Sequence, residues 1–407
     1  MSGARPRILF AWELGANFGH ASNVAEVVRA LGDRADAVVV AKDPVSFRKI
    51  APDVQVELLP APRAQQRPPP TPQELGRSFS DDLRNVGWGD ASELATLLES
   101  WNTIIRLIKP DIIAMQAAPT AMLAAHGGAA KTAMFGYGYD LPPRISPLPP
   151  FYFWTENAAA GLEDREAEIL ANANTARASF SQPGFDTFAD ILQTDSYLIG
   201  CFPEIDPYNP RSQFEAERPV YYGQLATTDV GQEVPWRDKA DHRLFAYLHA
   251  NQATTKTALD AFAGLGPQWD CIVSVPGLPQ PTLAAMQRPH LRIVNGPVRL
   301  DRILRDCHVA VTHGGGGTLG AFLAAGVPQV CLPTHAEQIM AARALATQGL
   351  AFGMLGKFGP GEVRQTVERI VATPQMRAGA RAAAKRLKQQ NLLEPAKRIA
   401  AELLRLV

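Results

Sequence analysis

Short apolar runs alternate with longer amphipathic segments along most of this chain. In the first half, the apolar runs fall near Ile8 and at residues 37–40, 56–58, 112–114 and 132–135. In the second half, they fall at residues 243–248, 271–275, 291–294, 309–312 and 329–332. Because strands that alternate with helices form parallel sheets covered on both faces, this pattern predicts an α/β protein built from two similar halves.

The segments between these strands predict helices, loops and a boundary. Helices are expected at residues 23–31 near the start and at 362–371, 375–390 and 394–404 near the end. Two proline-rich stretches, 60–71 and 141–150, are predicted to be loops because proline removes backbone donors. The predicted organisation is an N-terminal domain at 1–225, a polar linker at 226–238, a C-terminal domain at 239–390 and a C-terminal helix within 391–407.

The composition is that of a large globular protein. The chain has 407 residues with 40 basic and 40 acidic side chains, so its formal net charge is zero. No clustered basic surface of the kind that binds nucleic acid is visible, and no segment approaches the roughly twenty apolar residues of a membrane span. The N-terminus enters a strand without the apolar core of a signal peptide, so a cytoplasmic location is expected. An oligomer remains possible.

The spacing of the four cysteines predicts neither disulfides nor a metal site. They are far apart in the sequence and include no C-x-x-C pair. Two of them, Cys307 and Cys331, flank or lie in predicted core strands. We therefore expect reduced, buried cysteines rather than disulfides or a zinc site, and no metal site is predicted.

A glycine-rich segment after the strand at 309–312 carries the clearest chemistry. The strand is followed by His313, Gly314, Gly315, Gly316 and Gly317, and a helix is predicted to start near Thr318. Glycines allow the backbone to approach phosphate oxygens closely, while free amides and the macrodipole at a helix start attract an anion. This arrangement predicts a diphosphate-binding loop.

Other interpretations of the four glycines are weaker. A flexible surface turn would suit the same residues, but it seldom lies between a buried strand and an Ala/Leu-rich helix. No Gly-Lys-Ser/Thr follows, so the segment is not a Walker loop, and it lacks the G-x-G-x-x-G order of a dinucleotide site. Kinase and dehydrogenase functions are therefore disfavoured.

The segment resembles the donor-binding motif of family 1 glycosyltransferases of the GT-B fold, which include macrolide, flavonoid and UDP-glucuronosyl transferases. The matching residues are His313, Gly314, Gly315, Gly317, Thr318, Gly326, Val327, Pro328, Glu337 and Gln338. The resemblance implies two Rossmann-like parallel-sheet domains that face a central cleft, and a last helix that crosses back to the N-terminal domain. It also suggests that residues 218–223 form the last strand of that domain.

The same resemblance assigns roles in donor binding. Glu337 and Gln338 are expected to hold the hydroxyls of the sugar, and the loop that contains Asn251 to approach the phosphates. Backbone groups near Val298 and Arg299 are expected to contact the edge of a uracil or thymine base. The family places an acid on the ribose eight positions after the histidine, but here that position is Ala321.

A second histidine is the candidate base. The first strand leads through residues 12–19 into His20, where the family carries a Gly-His pair and uses the histidine to remove a proton from the acceptor. Imidazole titrates near neutrality, which suits this role. Many members orient this histidine with an aspartate, but the corresponding residue here is Gln116. Glu13 is an alternative base or partner, although capping a helix or forming a surface ion pair is about as plausible for it.

The resemblance leaves the acceptor unidentified. The family often uses loops of the N-terminal domain for the acceptor, and the aromatic residues at 151–154 would either stack on it or pack against the following helix. The predicted function is an inverting, metal-independent transfer of a hexose from a UDP- or dTDP-sugar, which acts as a co-substrate, with no cofactor. The alternatives are a non-catalytic GT-B protein that binds a sugar nucleotide or activates a partner enzyme, and a UDP-sugar 2-epimerase.

Overall fold

The computed structural model describes residues 5–15, 19–67, 75–214, 219–225 and 228–407. The chain divides into two compact units. The N-terminal unit comprises Met1–Cys201, Pro210–Leu225 and Glu394–Val407, and the C-terminal unit comprises Phe202–Asn209 and Ala226–Leu393. The predicted domain at 1–225 is therefore interrupted, because Phe202–Asn209 belongs to the C-terminal unit. There, the Gln348 amide donates a hydrogen bond to the Glu204 carbonyl over 3.0 Å.

The N-terminal unit contains a parallel sheet whose described strands have the order β3-β2-β1-β4-β5-β6. The strands are β1 Arg7–Trp12, β2 Asp36–Ala41, β3 Glu57–Pro60, β4 Ile112–Gln116, β5 Lys131–Gly136 and β6 Ser196–Ile199. The last strand was predicted at 218–223, which is wrong. Residue 218 lies outside the described residues, and Tyr221 forms only an isolated bridge with Ile199. Pro219 has no amide hydrogen to donate to a ladder, so β6 ends the sheet instead.

Helices cover this sheet. They are α1 Gly19–Leu31, α2 Pro44–Ile50, α3 Phe79–Asp82, α4 Ala91–Ile108, α5 Pro119–Ala125, α6 Leu162–Ala178, α7 Phe188–Ile191 and, from the end of the chain, α15 Pro395–Leu404. Helix α1 begins four residues before its predicted start. Its apolar face packs on β1, and the apolar face of α15, with Ile399, Ala400 and Leu403, is buried in the same core. Residues from Glu394 onward thus complete the N-terminal unit. The described part of the predicted loop at 60–71 ends at residue 67.

The C-terminal unit repeats the same topology. Its described strands are β7 His242–Tyr247, β8 Trp269–Ser274, β9 Leu291–Val294, β10 Val309–Thr312, β11 Gln329–Cys331 and β12 Ala351–Gly353. They form a parallel sheet with the order β12-β11-β10-β7-β8-β9. Along β7, Leu244 and Ala246 enter one apolar cluster and Phe245 enters another, so both faces of the sheet are buried. The strand order changes direction between β7 and β10, which is where ligands bind in open α/β sheets.

The helices of this unit are α8 Ala253–Ala263, α9 Gln280–Met286, α10 Leu300–Ile303, α11 Gly316–Ala324, α12 Ala336–Ala346, α13 Pro360–Val371 and α14 Pro374–Gln389. The α/β prediction is confirmed for both units. All four cysteines are buried, and none of them forms a disulfide. None of the helices in the described ranges is long and apolar enough to cross a membrane. Residues 226 and 227 of the predicted linker at 226–238 are not among the residues that the structure describes.

Candidate functional site

The glycine-rich loop lies at the carboxyl end of β10, beside the change in strand order. Helix α11 begins at Gly316, two residues earlier than predicted. Gly314 has a φ of +92°, and a Cβ atom there would lie 3.2 Å from the carbonyl oxygen of Gln338. Glycine is therefore required at 314 by conformation and by space. A Cβ atom on Gly315 would meet nothing within 4 Å, so this residue presents an open surface.

The start of α11 provides the anion-binding groups. The first intrahelical bond runs from the Leu319 amide to the Gly315 carbonyl over 3.0 Å, so the amides of Gly316, Gly317 and Thr318 precede it. The N-cap residue Gly315 supplies no side-chain hydrogen bond to these amides. Three amides and the positive end of the helix dipole thus converge beside the open face of Gly315, as a diphosphate site requires.

His313 binds main-chain groups through both ring nitrogens. Its Nδ1 atom donates to the Leu332 carbonyl over 3.0 Å, and its Nε2 atom accepts from the His249 amide over 3.0 Å. The side chain is 3% exposed, and this burial lowers its pKa, so the ring is neutral at pH 7. Through these two bonds, His313 fixes the ends of β7, β10 and β11 to one another.

Two further histidines lie near His313 and were not predicted as site residues. The His249 ring stacks on the His313 ring with centroids 5.2 Å apart and an angle of 12° between the planes. His335 is the N-cap residue of α12. Desolvation lowers the pKa of both histidines. Asn251, which was predicted from the same loop as His249, is exposed in the turn before α8. The signal for His249 was its place two residues after the end of β7 and two residues before Asn251.

The start of α12 carries the predicted sugar-binding pair. Gln338 is buried, and its Oε1 atom accepts from the Thr334 amide over 2.9 Å and from the Thr334 hydroxyl over 3.1 Å. Glu337 lies in the first turn of the helix and is partly exposed. The two side chains thus follow the carboxyl end of β11, with Gln338 shaping the loop and packing behind Gly314.

Part of the predicted base-binding loop is hydrogen-bonded to the backbone of Gln232, which lies before β7. The Gln232 amide donates to the Pro297 carbonyl and the Arg299 amide donates to the Gln232 carbonyl, each over 2.9 Å. In a parallel bridge, the amide and carbonyl of the residue between, Val298, point away from the partner. The Arg299 side chain forms a two-pronged ion pair with Asp301. Val298 therefore keeps the backbone groups that the prediction requires, whereas those of Arg299 are partly engaged.

In the N-terminal unit, His20 is held by a neutral partner. Its Nδ1 atom lies 2.9 Å from Oε1 of Gln116, which is at the end of β4 and 0% exposed. Strands β1 and β4 are neighbours, and Trp12 pairs with Gln116 in their register. The Trp12 ring also stacks on the imidazole, with centroids 6.3 Å apart. Since an amide oxygen only accepts, His20 carries its proton on Nδ1 in this arrangement, and Nε2 is the basic nitrogen.

Gly15 is a positioning residue that sequence reasoning missed. Its φ is +88°, and a Cβ atom there would lie 1.9 Å from the Nε2 atom of His20. The ammonium group of Lys42 donates a hydrogen bond to the Gly15 carbonyl over 2.7 Å. The backbone at Gly15 therefore lies directly against the imidazole, and the absence of a side chain leaves the space in which the ring sits.

Glu13 caps a helix. Its two carboxylate oxygens accept hydrogen bonds from the amides of Thr120, over 3.1 Å, and Ala121, over 2.5 Å, at the start of α5. The amides of Glu13 and Leu14 donate to the Ala117 carbonyl. Burial raises the pKa of Glu13 to about 7, although both backbone bonds oppose this shift. The carboxylate thus holds the turn that follows Gln116, which favours the capping role over a catalytic one.

Comparison with known proteins finds similarity over parts of this sequence. Residues 270–406 match the family described as erythromycin biosynthesis protein CIII-like, C-terminal domain. The chain is 44% identical over 61 residues to the elloramycin glycosyltransferase ElmGT of Streptomyces olivaceus, and this alignment spans 15% of the chain and 16% of that protein. The resemblance to family 1 glycosyltransferases is confirmed. The matched region contains the glycine-rich loop 313–317 and the amides at the start of α11, which together are called the glycine cradle below.

Solved glycosyltransferase structures share the whole fold. The glycotransferase of kitacinnamycin superimposes with a TM-score of 0.74 at 16% identity, covering 99% of this chain and 100% of that one. The spinosyn rhamnosyltransferase SpnG in complex with thymidine diphosphate gives a TM-score of 0.68 at 16% identity, with coverage of 97% and 99%. Its complex with the spinosyn aglycone gives 0.66 at 15%, with the same coverage. These similarities confirm the GT-B fold.

The structure shows the surroundings of the two residues that depart from the family pattern. Ala321 is buried in α11, where the family carries an acid for the ribose. Gln116 contacts His20, where many members carry an aspartate. Within the described residues, no group of three or more His, Cys, Asp or Glu side chains is arranged to hold a metal ion.

The cavities of the C-terminal unit do not mark this site. Two surface cavities of about 270 and 260 Å³ lie at the amino ends of its strands, near His242, Trp269 and His308. The glycine cradle lies at the opposite, carboxyl ends. Because ligands of open α/β sheets bind at the carboxyl ends, these two cavities lie away from the expected ligand site.

Replacing Glu13 with glutamine is expected to change how stability depends on pH. The pKa of about 7 in the folded protein lies above the ordinary value of 4.5, so folding binds a proton and wild-type stability falls as pH rises between these values. Relative to E13Q, the free energy of unfolding of the wild type should fall by about 3 kcal/mol across that interval. Urea denaturation at several pH values, followed by tryptophan fluorescence, measures this difference.

The exposed Glu99 of α4 offers a matched control. E99Q makes the same chemical change on the surface and should stay within about 0.5 kcal/mol of the wild type at each pH. A difference between the wild type and E13Q that is constant with pH would contradict a buried, titrating carboxyl group at Glu13.

Proposed function

We propose that this protein is an inverting glycosyltransferase that moves a hexose from a UDP- or dTDP-sugar to an acceptor hydroxyl without a metal ion. The observation that carries the proposal is the uncapped start of α11 beside the open face of Gly315. Three amides there suit the two phosphates of a sugar nucleotide. The complex of SpnG with thymidine diphosphate supports the choice of a nucleoside diphosphate, and its complex with an aglycone supports a second, acceptor substrate.

The proposed donor site uses three neighbouring loops of the C-terminal unit. The amides of Gly316, Gly317 and Thr318 bind the diphosphate, and His313 keeps the surrounding loops in place through its two main-chain bonds. The backbone groups of Val298 contact the base. The first turn of α12, with Glu337 and Gln338, contacts the hexose. Fixed amides of this kind also stabilise the charge that develops on the departing diphosphate.

The proposed transfer step uses His20 as general base. The acceptor oxygen forms a bond to the anomeric carbon, and the bond from that carbon to the diphosphate oxygen breaks, with its electron pair leaving on the diphosphate. The acceptor proton passes to Nε2 of His20, because Nδ1 is bound to Gln116. Attack from the face opposite the diphosphate inverts the anomeric carbon. A base of this kind contributes typically about 10²–10⁴ in rate.

One alternative is a non-catalytic protein that binds a sugar nucleotide or activates a partner enzyme. It is favoured by Gln116 and Ala321, because each occupies a position where a carboxylate is expected. The 2-epimerase has less support, because Glu13 is committed to the amides of α5. The ordered contact between His20 and Gln116 favours the transferase, because it presents a basic nitrogen that a simple binding protein does not need.

Calorimetric titration with UDP, dTDP and GDP, followed by assays of nucleoside diphosphate release from the matching sugars, tests the proposal. Binding selective for UDP or dTDP, together with release that depends on an acceptor, is the expected result. Binding without acceptor-dependent release would favour the non-catalytic protein. Absence of binding by all three nucleotides would reject the donor site itself.

A further inference from the structure

Two histidines beside the glycine cradle have ring nitrogens that form no hydrogen bond to any other described residue. His249 follows β7 and His335 precedes α12, so both lie at the carboxyl ends of the strands. The main chain of His249 is held in place, since its amide donates to His313 and its carbonyl accepts from the Thr255 hydroxyl over 2.7 Å. His313 differs, because main-chain groups engage both of its ring nitrogens. The rings of His249 and His335 are therefore left for a ligand.

The three histidine rings lie close to one another at the start of the glycine-rich loop. The His249 ring covers one face of the His313 ring, with the centroids 5.2 Å apart. A charge on His249 acts on both of the other rings, and a charge on His335 acts on His313. The turn of α12 that begins at His335 brings the Gln338 carbonyl to 3.2 Å from a Cβ atom built on Gly314. The two free imidazoles thus flank the loop from neighbouring strands.

The loops around the cradle contain no permanently charged cation. The loops after β7, β10 and β11 include no lysine or arginine, and they comprise residues 248–252, 313–315 and 332–335. Helix α11 has none either. Lys256, four residues after the first of these loops, is exposed and pairs with Asp260 over 2.6 Å. Positive charge in these loops, beyond the dipole of α11, must therefore come from histidine.

The free imidazoles are neutral at pH 7 before a ligand binds. Desolvation lowers the pKa of His249, and desolvation together with the nearby His249 lowers the pKa of His335. The Tyr247 ring meets the His249 ring edge-on with centroids 5.2 Å apart, and it is neutral because burial raises its pKa. The carboxylate nearest in sequence is Glu337, in the first turn of α12. An anion within about 4–6 Å of an imidazole favours its charged form, so a bound diphosphate would promote protonation of both rings.

We infer that His249 and His335 bind the donor diphosphate as imidazolium groups, so that the protein takes up protons when the nucleotide binds. This inference rests on the proposed function and adds two charged contacts to the amides of the cradle. Each imidazole binds one proton from solvent at its basic nitrogen, and its N–H groups then donate to phosphate oxygens. The two charges also stabilise the negative charge that the diphosphate gains when its bond to the anomeric carbon breaks.

Calorimetric titration with UDP and dTDP, in buffers of different ionisation enthalpy, measures the proton uptake. At pH 7.5 the terminal phosphate of the nucleotide is already ionised, because the second pKa of such a group is about 6. The wild type should take up at least about half a proton per nucleotide, and its Kd should rise at least about threefold from pH 7 to pH 8. Binding without proton uptake, and with a Kd that is independent of pH, would overturn the inference.

Glutamine variants assign the protons to residues. H249Q and H335Q keep a polar side chain that does not titrate, and each should reduce the uptake and weaken binding at pH 7 by about tenfold. The double variant should bind the nucleotide with no uptake. H242Q is the matched control, because His242 is a partly buried histidine at the other end of β7, and it should behave like the wild type. Uptake that persists in the double variant would place the protons elsewhere and reject the pair.

A lysine at position 249 separates charge from shape. Lysine is charged at pH 7 to 8 without taking up a proton, because its ordinary pKa is about 10.4. H249K should therefore bind the nucleotide more tightly than H249Q, with a smaller proton uptake than the wild type. An affinity in H249K no higher than in H249Q would reject the charge at His249. Thermal unfolding without ligand verifies that each variant is folded.

Failure of this inference is distinguishable from failure of the proposed function. If UDP or dTDP binds without proton uptake and the protein releases diphosphate with an acceptor, the transferase stands and the histidine pair is rejected. If neither nucleotide binds, the donor site is rejected and the inference with it.

Discussion

Replacing His20 with alanine is expected to lower kcat for sugar transfer by about 10²–10⁴ and to leave the affinity for the nucleoside diphosphate unchanged. The imidazole is the proposed acceptor of the proton, while the proposed donor contacts belong to the C-terminal unit. Nucleoside diphosphate release at saturating donor measures the first quantity, and calorimetric titration of the nucleotide measures the second. A variant that transfers sugar at the wild-type rate would reject His20 as the base.

Two further variants make this result specific. His126 is another partly buried histidine of the N-terminal unit, bound to the Ile191 carbonyl over 2.7 Å. H126Q retains a donor for that bond and should transfer sugar like the wild type. Gly15→Ala should reproduce the loss seen in H20A, because its methyl group would occupy the position of the His20 ring. A fully active G15A would show that the imidazole need not stay where the structure places it.

Replacing Gly315 with alanine is expected to weaken binding of the nucleoside diphosphate by about tenfold to a hundredfold. Gly315 has a φ of −65° and a ψ of 134°, which alanine adopts without strain. Its Cβ atom would meet no protein atom within 4 Å, so the fold should tolerate it. The methyl group would fill the space in which the phosphate oxygens are proposed to lie. Calorimetric titration measures the affinity, and thermal unfolding without ligand verifies the fold.

Other glycines of the same unit provide the controls. A methyl group on Gly361, in the first turn of α13, would also meet nothing within 4 Å, and G361A should bind the nucleotide like the wild type. Gly314→Ala should weaken both stability and binding, because of the positive φ and the 3.2 Å approach to the Gln338 carbonyl. Wild-type affinity in G315A would show that the diphosphate does not approach this loop.

The accuracy of the strand predictions followed the length of the apolar runs. Strands such as β2 and β7 contain several consecutive apolar residues and were found where predicted. The edge strands β6 and β12, with four and three residues, were missed, since so few residues carry no clear period. The helix starts at Gly19 and Gly316 were placed too late, because glycine is a weak helix former and its sequence signal suggests a loop.

The candidate site also has a part that could be predicted from the sequence and a part that could not. The cradle of α11 was predictable because a strand, a positive-φ glycine and a helix start are encoded by consecutive residues. The partners of its histidine were not predictable. His249 and His313 are 64 residues apart, and they meet only because β7 and β10 are neighbours. Sequence proximity alone does not determine whether His249 or Asn251 turns toward the next strand.

The α/β class, the two repeated halves, the glycine-rich loop at the start of α11 and the candidacy of His20 follow from the sequence alone, since all of these depend on local periodicity or on adjacent residues. Three other features appear only in the folded chain: Gln116 binds His20 across 96 positions, Glu13 caps α5 across 108, and Gly15 makes room for the imidazole. Those contacts arise from the pairing of β1 with β4, and strand order and register are set by packing of the whole sheet rather than by any one segment.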